Sequence, residues 1–107
     1  MASGKDKKLI YEEVLQYLSL LKNENIHILQ AHLFGSYAKG TADEWSDIDL
    51  ALVTENFIGD SFDFRFMLAK LARKIDPDIE PHPYLISEFN ESDPIAGEIL
   101  KNGERIL

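Results

Sequence analysis

Apolar positions in the first quarter of the chain recur with the period of an α-helix. Between Lys8 and Lys22 they are three and four residues apart, which places them along one side of a helix. The stripe consists of Ile10, Val14, Tyr17, Leu18 and Leu21. Polar residues 23–25 then interrupt the pattern. We therefore predict an amphipathic helix over residues 8–22.

Three later segments have the composition of β-strands. Residues 26–34 form a short run rich in large apolar side chains. Residues 47–54 alternate polar and apolar at first and then become continuously apolar, as expected for a strand buried on one face and then on both. Residues 79–84 contain Pro81 and Pro83, whose missing N–H groups would lie on the same side of a strand. Because prolines in sheets occur at edges, we predict that this third strand is an edge strand.

Two further helices and two loops complete the predicted order of elements. Residues 63–75 carry apolar side chains at helical spacing, and the helix ends before Pro77 because proline disfavours helix in the residue preceding it. A last helix is predicted over residues 90–101, and residues 35–46 and 56–62 are predicted loops. Strands that alternate with helices predict the α/β class (α+β), in which helices pack on a mixed β-sheet.

The length and composition indicate one globular domain. The chain has 107 residues, of which 45% are apolar and 28% charged, as in ordinary soluble proteins. We interpret residues 1–8 as a flexible N-terminal tail and residues 9–107 as the domain. The sequence has neither an apolar run long enough to cross a bilayer nor an apolar signal-peptide segment, so we expect a cytoplasmic protein. The absence of cysteine excludes disulfides, thiolate zinc sites and a cysteine nucleophile.

The charge balance narrows the choice of partner. Nineteen acidic residues against eleven basic ones give a net charge of −8. Such a surface repels DNA and RNA, because affinity for nucleic acid depends largely on Lys and Arg side chains that neutralise phosphates. We therefore expect a small ligand, a protein partner or a cationic acceptor, and we expect neither nucleic acid nor a membrane.

Asp47 and Asp49 are the first candidates for chemistry. Side chains two positions apart on a strand share a face, so these two carboxylates are neighbours while Ile48 points into the core. Carboxylates held this close repel each other unless a cation or a proton lies between them. Magnesium suits such a pair, because it binds hard oxygen ligands from one or two carboxylates, water and substrate phosphates. We predict a magnesium site here.

The preceding turn has features suited to binding phosphate. Gly35 allows the backbone to turn sharply and to approach a ligand closely. Ser36 offers a hydroxyl group, and a helical turn starting there would direct backbone N–H groups at phosphate oxygens. Lys39 can place a positive charge near the same phosphates, although a solvent-exposed lysine with no such role is the alternative that we favour. A strand, this turn and a second strand with paired aspartates would form a cradle for a metal-bound triphosphate.

The segment Gly35-Ser-Tyr-Ala-Lys-Gly-Thr-Ala-Asp-Glu-Trp-Ser-Asp-Ile-Asp-Leu50 resembles the signature of the nucleotidyltransferase superfamily that includes DNA polymerase beta. Within this superfamily, the segment is similar to the minimal nucleotidyltransferases (MNT), which are often found as antitoxins paired with HEPN-domain toxins. The resemblance implies a fold of the DNA polymerase beta type, one or two Mg²⁺ ions, and ATP or another nucleoside triphosphate as substrate. It also implies that an acceptor hydroxyl attacks the α-phosphorus and that pyrophosphate leaves.

The resemblance further implies a third carboxylate on a later strand. We assign it to Glu80, with Asp78 and Asp76 as alternatives; the family position is commonly aspartate, so glutamate departs from the pattern. The implied catalytic and metal-binding residues are Asp47, Asp49 and Glu80. The implied nucleotide-binding residues are Gly35, Ser36 and Lys39.

Other residues near these positions have weaker signals. Trp45 can stack on a base or serve packing or partner contact. His82 would share a strand face with Glu80 and can orient a metal-binding side chain by hydrogen bonding to it. His27 and His32 lack metal-site spacing and are interpreted as structural.

Three functions are consistent with these observations. In the first, the protein transfers AMP from ATP to a hydroxyl group on a HEPN-type partner protein, and the resemblance implies a tyrosine as the acceptor. In the second, it is a non-catalytic antitoxin that neutralises its toxin by forming a complex. In the third, it is the nucleotidyltransferase subunit of an antibiotic-modifying enzyme and pairs with a separate helical subunit. The sequence leaves both homo- and hetero-oligomers open.

Overall fold

The computed structural model describes residues 6–107, which form four helices and four strands. In chain order these are α1 (Lys7–Asn23), β1 (Gln30–Phe34), α2 (Ser36–Lys39), β2 (Ile48–Thr54), α3 (Ser61–Ala72), β3 (Ile79–Leu85), α4 (Pro94–Asn102) and β4 (Glu104–Arg105). The strands form one sheet in the order β3-β2-β1-β4. Strand β1 is antiparallel to β2 and β4, whereas β2 and β3 are parallel and joined through α3. The predicted mixed sheet with packed helices is confirmed.

The sheet is covered on both faces. One face packs against α1 and α3 in a core that includes Ile48, Leu50 and Leu52 of β2. The alternate residues Ala51 and Val53 pack on the other face, in a smaller cluster with α4. Strand β2 is therefore buried on both sides from Leu50 onwards, as its apolar pattern predicted. This burial fixes the strand that contains Asp49 and that Asp47 immediately precedes.

Aspartate caps define where the three longer helices begin. Asp6, Asp60 and Asp93 precede α1, α3 and α4, and each side chain accepts a hydrogen bond from a backbone N–H in the first turn. Because Asp6 caps α1, Lys7 and Lys8 belong to that helix and not to the predicted tail. Residues 1–5 of the predicted tail lie outside the described residues. None of the helices described here combines the length and the apolar character needed to cross a membrane.

Several predicted boundaries were wrong. The first strand begins at Gln30 rather than at Ile26, because the Ile26 N–H closes the end of α1 by donating to Leu21 O (2.9 Å) after Asn25 adopts a positive φ of 62°. Helix α3 begins at Ser61 and ends at Ala72, not at residues 63 and 75. The last helix begins at Pro94, directly after its Asp93 cap, and ends at Asn102, instead of spanning residues 90–101.

The free edge of β3 is proline-rich, as predicted. Ile48 N–H donates to Asp78 O (2.8 Å) and Ile86 N–H donates to Thr54 O (2.8 Å), so backbone groups of even-numbered residues face β2. Pro81 and Pro83 consequently face the unpaired side of the strand. Their missing N–H groups cost the sheet no ladder hydrogen bond.

Candidate active site

Strand pairing brings the separated candidate residues together. Phe34 at the end of β1 is opposite Asp49 in the antiparallel register, and Asp49 is opposite Glu80 in the parallel register. Gly35, which follows β1, therefore lies on one side of Asp49, and Glu80 lies on the other. Side chains paired in this way project from the same face of a sheet. The turn and the carboxylates form one continuous surface.

Gly35 has a conformation and surroundings that require glycine. Its φ of 74° and ψ of −151° fall in a region that other residues hardly adopt. A Cβ atom at this position would also collide with Oδ2 of Asp49. The backbone of the turn therefore lies directly against the Asp49 carboxylate.

The helical turn expected after Ser36 is present as α2. Lys39 N–H donates to Gly35 O (3.1 Å), and Gly40, with a φ of 76°, ends the turn. Tyr37 is buried and attaches α2 to the core, whereas Ser36 is half-buried beside the carboxylate face. Lys39 is exposed at the end of α2. The structure thus places Gly35 against Asp49, with Ser36 following it in the turn, and leaves Lys39 exposed at the end of α2.

Three carboxylates cluster at the start of β2 and β3. Burial raises the pKa of the Glu80 carboxyl group, and its hydrogen bond to Asp47 and the charges of Asp47 and Asp49 raise this pKa further. A protonated His82 would oppose the shift. Carboxylates in such proximity share a proton or bind a cation. The oxygen-rich donor set of Asp47, Asp49 and Glu80 therefore fits Mg²⁺.

The two alternatives to Glu80 are placed elsewhere. Asp76 is buried, with 5% of its surface exposed, and its Oδ1 accepts a hydrogen bond from Asp78 N–H (2.9 Å) in the turn before β3. The backbone carbonyl of Asp78 pairs with Ile48. Both residues shape the entry to β3. The carboxyl group of Glu80 interacts with the aspartate pair.

His82 contacts the cluster from the third strand. Its Nε2 lies 3.2 Å from Asp49 Oδ1, and its Nδ1 lies 3.3 Å from Nη2 of Arg65. Its ring packs edge-on against Phe34, with ring centroids 5.0 Å apart. Ligand atoms of Asp49, Glu80 and His82 all lie within 4.8 Å of one another. The sequence placed His82 near the site but gave no sign of Arg65, which is seventeen positions away on α3.

The remaining candidates have simple environments. Trp45 lies on a turn that is closed by a hydrogen bond from Asp43 N–H to Ser46 Oγ (2.9 Å). Its side chain is 82% exposed, so it does not pack against the part of the chain that the structure describes. His32 is buried against Phe89 and contacts Gln30 Oε1 (2.9 Å). This burial is consistent with the structural role predicted for His32.

Residues 15–107 match the model of the family described as polymerase beta, nucleotidyltransferase. The chain belongs to this family. The match confirms the resemblance seen between Gly35 and Leu50, the nucleotidyltransferase fold and the enzyme class. Among curated proteins, none matches the sequence.

Solved structures share the nucleotidyltransferase fold. A chain of a toxin–antitoxin complex with AMP-PNP is 23% identical, with a TM-score of 0.64 over 91% of this chain and 72% of that one. A tri-AMPylated HEPN toxin of Shewanella oneidensis in complex with its MNT antitoxin contains a chain that is 20% identical, with a TM-score of 0.59 over 95% and 72%. A mutant of the MntA–HpeT pair gives 25% identity and a TM-score of 0.57 over 84% and 68%.

A groove borders the candidate site on the β3 side. It has a volume of about 400 Å³ and passes between α3 and the free edge of β3. Its lining is mainly aromatic and includes both members of the arginine–histidine contact: Phe57, Ser61, Phe62, Arg65, His82, Pro83 and Tyr84. The groove and the Gly35–Ser36 turn thus lie on opposite sides of the paired aspartates.

Proposed function

We propose that this chain transfers AMP from ATP, in the presence of Mg²⁺, to a hydroxyl group on a partner protein. The observation that carries the proposal is the convergence of Asp47, Asp49 and Glu80 beside the Gly35–Ser36 turn. In the proposed reaction the acceptor oxygen forms a bond to the α-phosphorus. The bond from that phosphorus to the pyrophosphate oxygen breaks, and the hydroxyl proton leaves the acceptor.

Each residue of the site has a role that its position supports. Asp47, Asp49 and Glu80 would hold the metal, which when bound supplies positive charge beside the phosphate oxygens. Gly35 and Ser36 would bind the triphosphate through the close backbone approach and the hydroxyl. In the alternative role of general base, Glu80 would instead take the proton of the acceptor hydroxyl.

A protein acceptor is favoured by charge and by the related structures. The net charge of −8 disfavours polyanionic acceptors. The structural relatives include a complex with AMP-PNP and a complex of an MNT antitoxin with a tri-AMPylated HEPN toxin. We therefore propose a HEPN-type toxin as the partner and a tyrosine hydroxyl as the acceptor group.

The decisive experiment is mass spectrometry of both proteins after a transfer reaction. The purified chain is incubated with ATP and Mg²⁺, with and without the product of the adjacent gene, and intact masses are measured. We expect one or more AMP additions on the partner, lost in Asp47→Asn. Asp63→Asn, which changes an exposed aspartate in the first turn of α3, is the matched control and should retain transfer.

A second candidate function is neutralisation of the toxin by binding alone. An apolar groove of about 690 Å³ lies between α1 and the segment before β1, and its exposed apolar residues include Leu15 and Leu107. Such a surface suits a stable complex with another protein. A stable complex without any mass increase in the experiment above would select this function over AMP transfer.

A further inference from the structure

Arg65 lies outside the carboxylate cluster but reaches it through His82. The guanidinium Nη2 is 3.3 Å from Nδ1 of His82, and the opposite ring nitrogen, Nε2, is 3.2 Å from Asp49 Oδ1. Arg65 is on α3 and Asp49 is on β2, so the imidazole on β3 connects a helix to the central strand. The edge contact with Phe34 holds the ring between them.

The chemistry of arginine determines the direction of both hydrogen bonds. A guanidinium group has only donors, so Nδ1 of His82 must accept from Arg65. In the neutral ring, the other nitrogen then carries the proton, and Nε2–H donates to Asp49. This arrangement also satisfies Asp49, because a carboxylate oxygen can only accept when ionised. Each of the two hydrogen bonds between Arg65, His82 and Asp49 thus has one donor and one acceptor.

The same nitrogen atom has an alternative role as a metal ligand. Nε2 lies close enough to the oxygens of Asp49 and Glu80 for the three side chains to surround one ion. Binding a metal requires a free lone pair on the ring nitrogen. With Arg65 in place, the lone pair of Nδ1 accepts the arginine hydrogen bond and Nε2 carries the proton. Neither nitrogen is then available as a ligand.

We propose that Arg65 keeps the imidazole of His82 out of the ligand set, so that the site remains an all-oxygen site. His82 acts as a positioning residue that orients Asp49, and Arg65 acts through His82. Oxygen ligands suit Mg²⁺ and Mn²⁺, whereas an imidazole ligand favours ions such as Ni²⁺ and Zn²⁺. Arg65 thereby sets the metal preference of the site without touching the metal. This inference rests on the metal site of the proposed function.

Removing Arg65 should change the metal preference in a specific way. In Arg65→Met the ring can place its proton on Nδ1 and present the Nε2 lone pair to an ion beside Asp49 and Glu80. We expect the affinity for Ni²⁺, measured by calorimetry on the full untagged chain without nucleotide, to rise about tenfold or more over wild type. The loss of a positive charge alone would raise the affinities for Ni²⁺ and Mn²⁺ equally, so Mn²⁺ is titrated in parallel.

Two further variants isolate His82. Glutamine at this position can still donate to Asp49 but has no imidazole, so the double variant Arg65→Met/His82→Gln should lose the added Ni²⁺ affinity. His82→Leu removes the donor and should lower Mn²⁺ affinity about 10–100-fold, while His82→Gln should restore most of it. Arg73→Met, at the C-terminal end of the same helix, is the matched control and should bind both ions like wild type.

Each outcome supports or overturns the inference. An unchanged Ni²⁺ affinity in Arg65→Met would overturn the inference. A Ni²⁺ affinity that is lower in His82→Gln than in wild type would also overturn it, because the imidazole would then be a metal ligand even with Arg65 in place. The proposed function is tested separately by Asp47→Asn/Asp49→Asn. If that variant binds Mn²⁺ like wild type, the metal site itself is wrong, whatever Arg65 does.

Discussion

Gly35 constrains the candidate site through the side chain that it lacks. Its positive φ and its contact with the Asp49 carboxylate are separate requirements, and a second glycine allows them to be distinguished. Gly40 has nearly the same φ, 76°, but a Cβ atom there would meet nothing within 4 Å. A substitution at Gly40 therefore causes backbone strain alone.

We expect Gly35→Ala and Gly40→Ala to lower the free energy of unfolding by a similar backbone term, about 1–2 kcal/mol each. Only Gly35→Ala should also displace Asp49, and it should therefore weaken Mn²⁺ binding and Mg²⁺-dependent ATP binding. Urea denaturation and calorimetry measure the two effects. Equal metal affinity in the two variants would show that the close approach of Gly35 to Asp49 has no functional role.

Glu80 should make the metal-free protein less stable at neutral pH. Because its pKa is raised in the folded state, the folded state binds the proton more tightly than the unfolded chain does. The resulting stability is present below the unfolded pKa and is lost as the pH rises through the folded pKa. Above that pH range and in EDTA, Glu80→Gln should therefore have a higher melting temperature than wild type. The gain in free energy of unfolding should be less than about 1 kcal/mol, because the group is close to solvent.

Glu80→Gln should lose its advantage in melting temperature over wild type when Mg²⁺ and ATP are added. It should also transfer AMP more slowly than wild type. Glu12→Gln, on the exposed side of α1, is the control for removing one negative charge. Melting temperatures measured across pH, with and without Mg²⁺, provide the comparison. An unchanged transfer rate in Glu80→Gln would move the third-carboxylate role to Asp78 or Asp76.

Individual site residues differed in how well the sequence predicted them. One contiguous segment contains Gly35, Asp47 and Asp49. Its geometry follows from the alternation of side chains along a strand and from the conformational freedom of glycine in a turn. The assignment of Glu80 rested on the resemblance, which implies a third carboxylate on a later strand. Its position opposite Asp49 depends on the register between β2 and β3, which the sequence did not predict. The Arg65–His82 contact had no local signal, because it joins a helix to an edge strand whose relative position is set by packing.

Elements were predicted best where a long segment contacts the core regularly. Strand β2 and helix α1 have such patterns, whereas strand β4 has two residues and was missed. That strand pairs with β1, and the Ile106 N–H donates to Ala31 O (2.7 Å). Side chains strengthen this attachment, since Glu104 accepts hydrogen bonds from Lys7 Nζ and Tyr11 OH on α1.

Glu104 should hold the C-terminal strand in place in a pH-dependent way. The hydrogen bonds from Lys7 and then Tyr11 lower the pKa of its carboxyl group, so its contribution to stability is present above the unfolded pKa and lost as the pH falls through the folded pKa. We expect Glu104→Gln to reduce stability by about 1 kcal/mol or less, because the pair is partly exposed.

Hydrogen exchange can locate that effect. In Glu104→Gln the Ile106 amide should exchange faster than in wild type. The amide of Leu50 in the central strand should remain among the slowest to exchange. The difference between variant and wild type should shrink at acid pH. Faster exchange throughout the sheet would mean that β4 is not a separate opening unit.

At the scale of the whole molecule, the alternation of helices and strands was enough to predict the layers but not the sheet order. The order β3-β2-β1-β4 depends on which strand pairs with which, and distant segments decide this through burial. The match over residues 15–107 and the related folds agree with that architecture. The net charge of −8 belongs to this scale too, since it acts on any approaching partner before contact is made.

The prolines of β3 have a consequence for how other proteins can associate with this one. A neighbouring chain often joins a sheet by lining up its backbone along a free edge, which requires a row of unpaired N–H and C=O groups. On one side of this sheet two of those donors are absent, and on the other side β4 is only two residues long. Complexes of this protein must therefore be specified by side chains, which makes partner choice adjustable by single substitutions and leaves little opportunity for indiscriminate strand-to-strand assembly.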